Sequence, residues 1–220
     1  MDKLVLIGAG GHAKAVIDIL KKNNEIHIEG LIGKADEIGK KVLGVPVIAT
    51  DEQLNDLLKR EINYALIVVG SVGDNYLRKN LYEKVKGIGF NFINAFHPSA
   101  IISEYVKFGR GNVVMAGTFI GPDTQVGNNV IVNTGSIIEH DCIISDHVHI
   151  APGVKIAGGV KIGEASHIGI GSVIIEGIKI GKNSLVGAGT VVLDDVPDNA
   201  VVVGVPGTVK KYRYDMGRNQ

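Results

Sequence analysis

An aliphatic residue returns at every sixth position from Ile102 to Val192, and this period constrains the fold more than any other feature of the chain. Fifteen of the sixteen residues met in steps of six are Ile or Val, and the other is Phe108. An α-helix repeats every 3.6 residues and a plain strand alternates every two, so neither gives this period over such a length. The region is therefore interpreted as a structural repeat.

A short flat strand followed by a corner every six residues explains the pattern. Three such sides close a triangular coil of 18 residues, so residues 102–192 make about five coils, stacked at the strand spacing of about 4.8 Å. Gly often follows the aliphatic directly, as at Gly121 and Gly163, and we expect it there because a corner needs permissive backbone dihedrals. A β-sandwich is the alternative, but its loops vary in length and would break the phase.

The part of the chain before the repeat alternates strands with helices, which predicts a small parallel α/β domain. Strands are predicted over residues 3–7, 26–32 and 64–69, with helices after residue 14 through 20, over 51–60 and from 78 toward 86. The first strand runs into a G-x-G-x-x-A sequence, residues 8–13, of the kind that brings backbone amides close to a phosphate. Ligands are expected at the carboxyl ends of the strands.

The end of the second strand lacks the acidic residue that holds a ribose in dinucleotide-binding domains. Ile32, Gly33 and Lys34 stand there instead. The sequence therefore disfavours NAD and favours a phosphate or nucleotide-sugar site, with a glycine turn kept only for packing as the alternative.

Composition narrows the class of partner. The chain has 23 Lys and Arg against 23 Asp and Glu, which gives no sign of a nucleic-acid partner. No apolar run approaches 18 residues and no signal sequence is recognised, so we expect no membrane partner and a cytoplasmic location. Cys142 is the only cysteine, which excludes an internal disulfide and a CxxC metal site, and its small inward position predicts a buried packing role.

Three motifs occur in order along the chain: IGAGGHAK at 7–14, NTGSIIEHDC at 133–142 and VGVPG at 203–207. With the hexads, they resemble the left-handed parallel β-helix acyltransferases. Within that superfamily they are similar to the sugar acetyltransferases of bacterial surface-glycan pathways, which include nucleotide-linked 4-amino-sugar N-acetyltransferases and proteins described as sialic acid O-acetyltransferases.

The resemblance, which covers residues 3–211, implies a two-domain fold and a homotrimer. Residues 1–95 would form a Rossmann-like α/β domain that binds a sugar or nucleotide sugar. Residues 96–211 would form a left-handed parallel β-helix of about five coils with a C-terminal cap, and residues 212–220 a polar tail. Acetyl-CoA would lie between neighbouring prisms.

Acetyl transfer from a thioester needs a base for the attacking group and donors for the developing oxyanion. His140 and Asp141 fall in a corner of the repeat, which projects outward, so His140 is expected to be accessible to a substrate. A carboxylate would fix its tautomer, and Asp141 is favoured over Glu139 for this role. The resemblance likewise implies His140 as general base, and it places Asn133 near the reacting centre.

The resemblance also implies contacts with the two substrates. Acetyl-CoA contacts are expected at His149, Gly158, Ile170 and Ala188. Substrate contacts are expected at Gly10, Gly11, His12, Gly33 and Gly70. The family has an acidic pair after the second strand where this chain has Gly33 and Lys34, which leaves the nucleotide open.

The other two histidines of the repeat, His147 and His167, are assigned no role. His149 and His167 lie 18 residues apart and should stack on one outward face, with His167 as a surface neighbour. His147 falls at the next corner and is expected to be solvated.

The sequence thus predicts an acetyl-CoA-dependent enzyme that acetylates the amine of a nucleotide-linked amino sugar, directly within a ternary complex and without a metal. O-acetylation of a sialic-acid-like sugar is the nearest alternative. A metal-dependent enzyme resembling the γ-class carbonic anhydrases, with His149 and His167 as ligands, and a non-catalytic trimeric scaffold that binds nucleotide sugars are the alternatives of other classes.

Overall fold

The computed structural model describes residues 3–22 and 26–213. The first domain contains strands β1 (Lys3–Ile7), β2 (His27–Ile32), β3 (Lys41–Val42), β4 (Val45–Ala49), β5 (Tyr64–Ile67) and β6 (Asn91–Phe92). Its helices are α1 (Gly11–Lys22), α2 (Leu54–Lys59) and α3 (Tyr76–Ile88), with short 3₁₀ turns at Ala35–Glu37 and Asp51–Gln53. No helix in these parts of the chain is both long and apolar enough to cross a membrane.

The strands of the first domain form one sheet in the order β3-β4-β2-β1-β5-β6. All neighbours are parallel except the hairpin pair β3 and β4. The parallel α/β domain is therefore confirmed, although the sequence interpretation missed this hairpin, which turns through Leu43 and Gly44 at positive φ. Because β2, β1 and β5 are adjacent and parallel, the loops that follow them meet at one edge of the sheet.

Helix α1 joins the two parts of the molecule. Its buried residues Ala13, Val16, Ile17 and Leu20 recur at helical spacing. They share a hydrophobic cluster with Ala95, Val113 and Met115 of the second domain. The first domain is thus packed onto the side of the repeat.

The second domain is a triangular prism of two-residue strands. Seventeen of them follow one another: Ala95–Phe96 (β7), Ile101–Ile102 (β8), Lys107–Phe108 (β9), Val113–Val114 (β10), Phe119–Ile120 (β11), Gln125–Val126 (β12), Ile131–Val132 (β13), Ile137–Ile138 (β14), Ile143–Ile144 (β15), His149–Ile150 (β16), Lys155–Ile156 (β17), Lys161–Ile162 (β18), His167–Ile168 (β19), Val173–Ile174 (β20), Lys179–Ile180 (β21), Leu185–Val186 (β22) and Val191–Val192 (β23). From β7 to β20, each strand pairs in parallel with the strand 18 residues on, as Ile131 does with His149. The predicted β-helix and its 18-residue coil are confirmed.

The three faces of the prism have different outward residues. The docked face, β7, β10, β13, β16, β19 and β22, lies against the first domain. The apolar face, β8, β11, β14, β17, β20 and β23, points Ile101, Phe119, Ile137, Lys155, Val173 and Val191 outward. The polar face, β9, β12, β15, β18 and β21, points Lys107, Gln125, Ile143, Lys161 and Lys179 outward.

The corners turn at a different residue from the one expected. From Phe108 to Val186, the third residue after every inward aliphatic has positive φ, for example Asp141 at 59° and Gly159 at 71°. The Gly directly after the aliphatic has another role, since a Cβ on Gly121 would lie 2.8 Å from the backbone nitrogen of His140 in the next coil. The expectation that these glycines turn the corner was wrong: they let successive coils approach each other.

The chain enters the prism between Phe92 and Ala95, so the predicted domain boundary after residue 95 falls inside β7. At the far end, β24 (Ala200–Val203) continues the docked face beside β22, and β25 (Thr208–Tyr212) pairs antiparallel with β24. Of the predicted polar tail 212–220, residues 214–220 lie outside the described residues. Inside the prism, Cys142 is fully buried, as expected from its position.

Candidate active site

His140 and Asp141 form an exposed pair at the corner between the apolar and polar faces. Nδ1 of His140 lies 2.7 Å from Oδ2 of Asp141, and the two side chains are 59% and 65% exposed. This hydrogen bond raises the pKa of His140 above its ordinary value of 6.5, and the charges of Asp141 and Glu139 act in the same direction. Because Nδ1 donates to the carboxylate, the bare Nε2 is free to accept a proton.

Gly158, one coil further on, lies directly against the His140 ring. A Cβ at this position would be 2.7 Å from Cε1 and 2.8 Å from Nε2 of His140. The imidazole of His140 therefore occupies the space that a side chain at position 158 would take. Any side chain at 158 would displace the ring.

His149 lies on the docked face and is covered by the loop that follows β5. It is 6% exposed, its Nδ1 is 2.8 Å from Oγ of Ser71, and its Nε2 is 3.4 Å from Nδ2 of Asn133. Burial, aided by the nearby His167 and Arg78, lowers the pKa of His149 to about 2. This histidine is therefore neutral at any ordinary pH, in contrast to His140.

His149 and His167 stack as the 18-residue spacing predicts, with ring centroids 4.8 Å apart. The expectation that His167 is a surface residue was wrong, because it is 7% exposed and burial lowers its pKa to about 4. His147 was expected to be solvated, but it is 3% exposed, since helix α3 covers its corner. Its ring hydrogen-bonds Asn129 at 2.9 Å and meets the Tyr82 ring edge-on at 5.4 Å.

Residues of the loop after β5 and of α3 hold the two domains together, and sequence reasoning missed them. The amide of Asn75 donates to the carbonyls of His147, Ala165 and Ser166 at 2.9–3.1 Å. Arg78, which is 1% exposed, donates to the carbonyl of Asn129. Nothing in the local sequence marks these residues, because their partners lie more than 50 positions away.

A cleft of about 610 Å³ opens where the loops after β1 and β2 meet. Gly8, Gly10, Gly33, Lys34 and Glu37 are among the residues that line it. Glu37 accepts a hydrogen bond from the backbone of Lys34 at 2.8 Å, and a Cβ on Gly33 would lie 2.8 Å from its carboxylate. Glu37 thus places a carboxylate beside the end of β2, and Gly33 leaves room for it.

The other predicted substrate residues are placed differently. Gly11 begins α1 and has open space around it. The His12 side chain packs against Gly70, where a Cβ would lie 3.3 Å from that of His12. Burial, with the charge of Arg78, lowers the pKa of His12 to about 4. His12 and Gly70 therefore belong to the domain interface beside His149.

Ile170 and Ala188 lie at the corner between the docked and apolar faces, in consecutive coils. Both are exposed, and the backbone of Gly189 donates to the carbonyl of Ile170 at 2.8 Å. Asn133 lies near the same corner, one residue after the end of β13. Within one chain, the predicted site residues thus fall at two edges of the apolar face: His140, Asp141 and Gly158 at one, and Asn133, Ile170 and Ala188 at the other.

The two domains match two family models. Residues 3–85 match the PglD N-terminal domain, and residues 123–158 and 159–194 match the bacterial transferase hexapeptide model. These matches define the class of the protein as a hexapeptide-repeat transferase with a PglD-type first domain.

Three known proteins that are similar to this chain define the class more narrowly. A variant of GDP-perosamine N-acetyltransferase from Caulobacter crescentus, solved with CoA and GDP-perosamine, is 39% identical, covers 96% of this chain and 98% of its own, and has a TM-score of 0.90. The acetyltransferase domain of PglB from Neisseria gonorrhoeae, solved with acetyl coenzyme A, is 33% identical over 94% of this chain and 98% of its own, with a TM-score of 0.85. UDP-N-acetylbacillosamine N-acetyltransferase of Bacillus subtilis is 36% identical over 53% of this chain, and the match spans 52% of that relative.

The chain therefore belongs to the hexapeptide-repeat acetyltransferases of nucleotide-linked amino sugars. This confirms the predicted family and enzyme class. In the described parts of the chain, no three His, Cys, Asp or Glu side chains are grouped so that they could hold a metal ion.

Proposed function

We propose that this protein transfers the acetyl group of acetyl-CoA to the amine of a nucleotide-linked amino sugar. The observation that carries the proposal is the exposed His140–Asp141 pair, in a chain that shares 39% identity over 96% of its length with an enzyme solved with CoA and GDP-perosamine. Both substrates are metabolites of the cytoplasm, and we place the reaction there.

The transfer takes place directly within a ternary complex. Nε2 of His140 accepts a proton from the amine as its nitrogen attacks the thioester carbonyl. The carbon–nitrogen bond forms, the oxyanion collapses, the carbon–sulfur bond breaks, and His140 returns the proton to the departing thiolate. Asp141 stabilises the imidazolium between these events. Cys142 is buried inside the prism and takes no part.

The nucleotide binds in the cleft at the ends of β1 and β2. Backbone amides after β1 face a phosphate, in the manner of glycine-rich turns at the start of a helix. The Glu37 carboxylate, which lines this cleft, accepts hydrogen bonds from a ribose or base, and Lys34, which also lines it, binds an anionic group. The sugar then extends toward the prism.

We infer that the enzyme is a homotrimer with sites between subunits. Ile101, which is 67% exposed, and the half-buried Phe119, Ile137, Val173 and Val191 form a stripe along the apolar face that only the exposed Lys155 interrupts. An exposed apolar stripe of this length marks a contact surface. Packing along this face would also bring the two groups of site residues together, one edge coming from each of two copies.

Incubation with acetyl-CoA and a panel of UDP-, GDP- and dTDP-linked 4-amino sugars, with free and CMP-linked sialic acids alongside, tests the reaction. We expect CoA release with an amino-sugar nucleotide and an acetamido product by mass spectrometry. Turnover with sialic acids alone would replace the proposal with O-acetylation. No turnover across the panel would support a scaffold.

Mixing two inactive variants tests the shared site. His140→Ala and Asn133→Ala change opposite edges, so co-expressed chains should regain activity at about a quarter of the sites, where both native edges meet. His140→Ala mixed with Asp141→Ala changes one edge only and should regain none. Equal recovery from both mixtures, or from neither, would contradict sites built from two copies.

A further inference from the structure

The interface between the domains contains a chain of three polar side chains that links the loop after β5 to Asn133. Ser71 belongs to that loop, His149 to the docked face, and Asn133 to the corner near Ile170. The three are brought together only by the packing of the first domain on the prism, since Ser71 and His149 are 78 positions apart. None of the roles described above uses Ser71.

The orientation of the Asn133 amide is fixed by its neighbour in sequence. Oδ1 of Asn133 lies 2.8 Å from the backbone nitrogen of Thr134, which can only donate, so the atom facing it is the oxygen. The amide nitrogen therefore faces Nε2 of His149, at 3.4 Å. Since that nitrogen has only hydrogens to offer, Nε2 of His149 is the acceptor.

This assignment determines the tautomer of His149. A neutral imidazole with a bare Nε2 carries its proton on Nδ1, so Nδ1 donates to Oγ of Ser71 at 2.8 Å. A hydrogen bond with the backbone of Ser71 also acts to raise the pKa of His149. This is the direction expected when a carbonyl accepts a hydrogen bond from the ring. Burial keeps the ring neutral despite this contact, because the pKa of His149 is lowered to about 2.

We propose that Ser71 and His149 are positioning residues that act through Asn133: Ser71 holds His149 as the Nδ1–H tautomer, and the bare Nε2 aims the Asn133 amide at the reacting carbonyl. The second N–H of that half-buried amide remains free to donate to the developing oxyanion. Val69, two residues before Ser71, lines the acceptor cleft. This inference rests on the proposed function.

The tautomer is measured first, on the full-length protein with ¹⁵N-labelled histidine. His149→Gln identifies the His149 signals, and the spectrum of the unsubstituted protein should show a protonated Nδ1 and a bare Nε2. Ser71→Ala should populate the other tautomer, and Ser71→Thr, which keeps the hydroxyl, should retain the first. A protonated Nε2 in the unsubstituted protein would overturn the inference. This measurement does not depend on any assay of activity, so it separates the inference from the proposed reaction.

Kinetics of the same variants test the consequence. Ser71→Ala should lower kcat about fivefold with an unchanged KM for acetyl-CoA, and Ser71→Thr should restore kcat. A rise in KM alone would mean that Ser71 contacts substrate and does not act through Asn133. An unchanged kcat together with a changed tautomer of His149 would mean that Asn133 takes no part in the reaction.

Discussion

His140 and His149 are only nine residues apart in the same repeat, yet their surroundings are opposite. His140 stands at a corner, 59% exposed, with a carboxylate that raises its pKa. His149 stands on a face, 6% exposed, with a pKa lowered to about 2. In this fold, the role of a histidine depends on its position within the six-residue unit and on the face of the prism where it lies. Together these two features decide whether the side chain can exchange protons or only orient a neighbour.

The largest expected effect comes from removing the side chain of His140, the exposed histidine. His140→Ala should lower kcat about 100-fold or more, because the amine then loses its base, while the fold and acetyl-CoA binding are kept. His27→Ala is the matched control, since His27 is 58% exposed and lies 3.5 Å from Glu29. Steady-state rates of CoA release decide the outcome. A loss under tenfold would mean that another group is the base.

Asp141→Asn sharpens the contrast by removing the charge that raises the pKa of His140. Asn tolerates the positive φ of 59° at this position, so the corner is kept. We expect kcat to fall about 30-fold. The base is active only when neutral, so a lower pKa should also shift the acidic limb of kcat/KM toward lower pH. An unshifted limb would show that Asp141 does not set that pKa.

Gly158→Ala tests whether the His140 ring needs its present place. The added methyl group would overlap Cε1 of His140, and a displaced ring should reduce kcat about tenfold without loss of folding. Gly87→Ala, at a helical position with nothing within 4 Å, is the control. Full activity of Gly158→Ala would indicate that the ring moves during turnover.

The buried histidines predict an effect on stability and not on rate. Burial lowers the pKa values of His12, His147, His149 and His167 in the folded protein, so the unfolded chain binds more protons below pH 6.5. The free energy of unfolding should therefore fall as pH drops from about 7 to 5, by on the order of 1 kcal/mol per pH unit for each of His12, His149 and His167. Urea unfolding of His167→Gln should show a shallower dependence, and His27→Gln an unchanged one. Equal slopes for both variants would contradict a buried, neutral His167.

The sequence predicted the prism well because its period is strict and its inward positions are chemically uniform. Ile138 and Ile150 are fully buried, and the corner that carries His140 is exposed as the phase requires. The six-residue period distinguishes inward from outward positions, but it does not show which outward face of the prism the first domain covers. His147 and His167 were misplaced for that reason.

The residues that join the domains were beyond prediction for a related reason. Ser71, Asn75 and Arg78 occupy a loop and a helix with no periodic signal, and their partners are carbonyls and rings on the prism. Glu37 was missed because the acid was sought at the strand end, whereas Glu37 lies five residues after the last residue of β2, in a 3₁₀ turn. In both cases three-dimensional proximity supplies what spacing along the chain does not.

The regular pairing of residues 18 apart also limits how this chain can change in length. Loss of one residue within a strand would exchange inward and outward side chains in every later coil. Removal of one whole coil would instead keep the inward and outward positions unchanged and shorten the prism by about 4.8 Å. If the removed coil lay beyond His140, the corner of His140 would not change. The height of such a prism can therefore change only in whole coils. Extra residues can also be added at the corners, and in both cases the active corner stays unchanged.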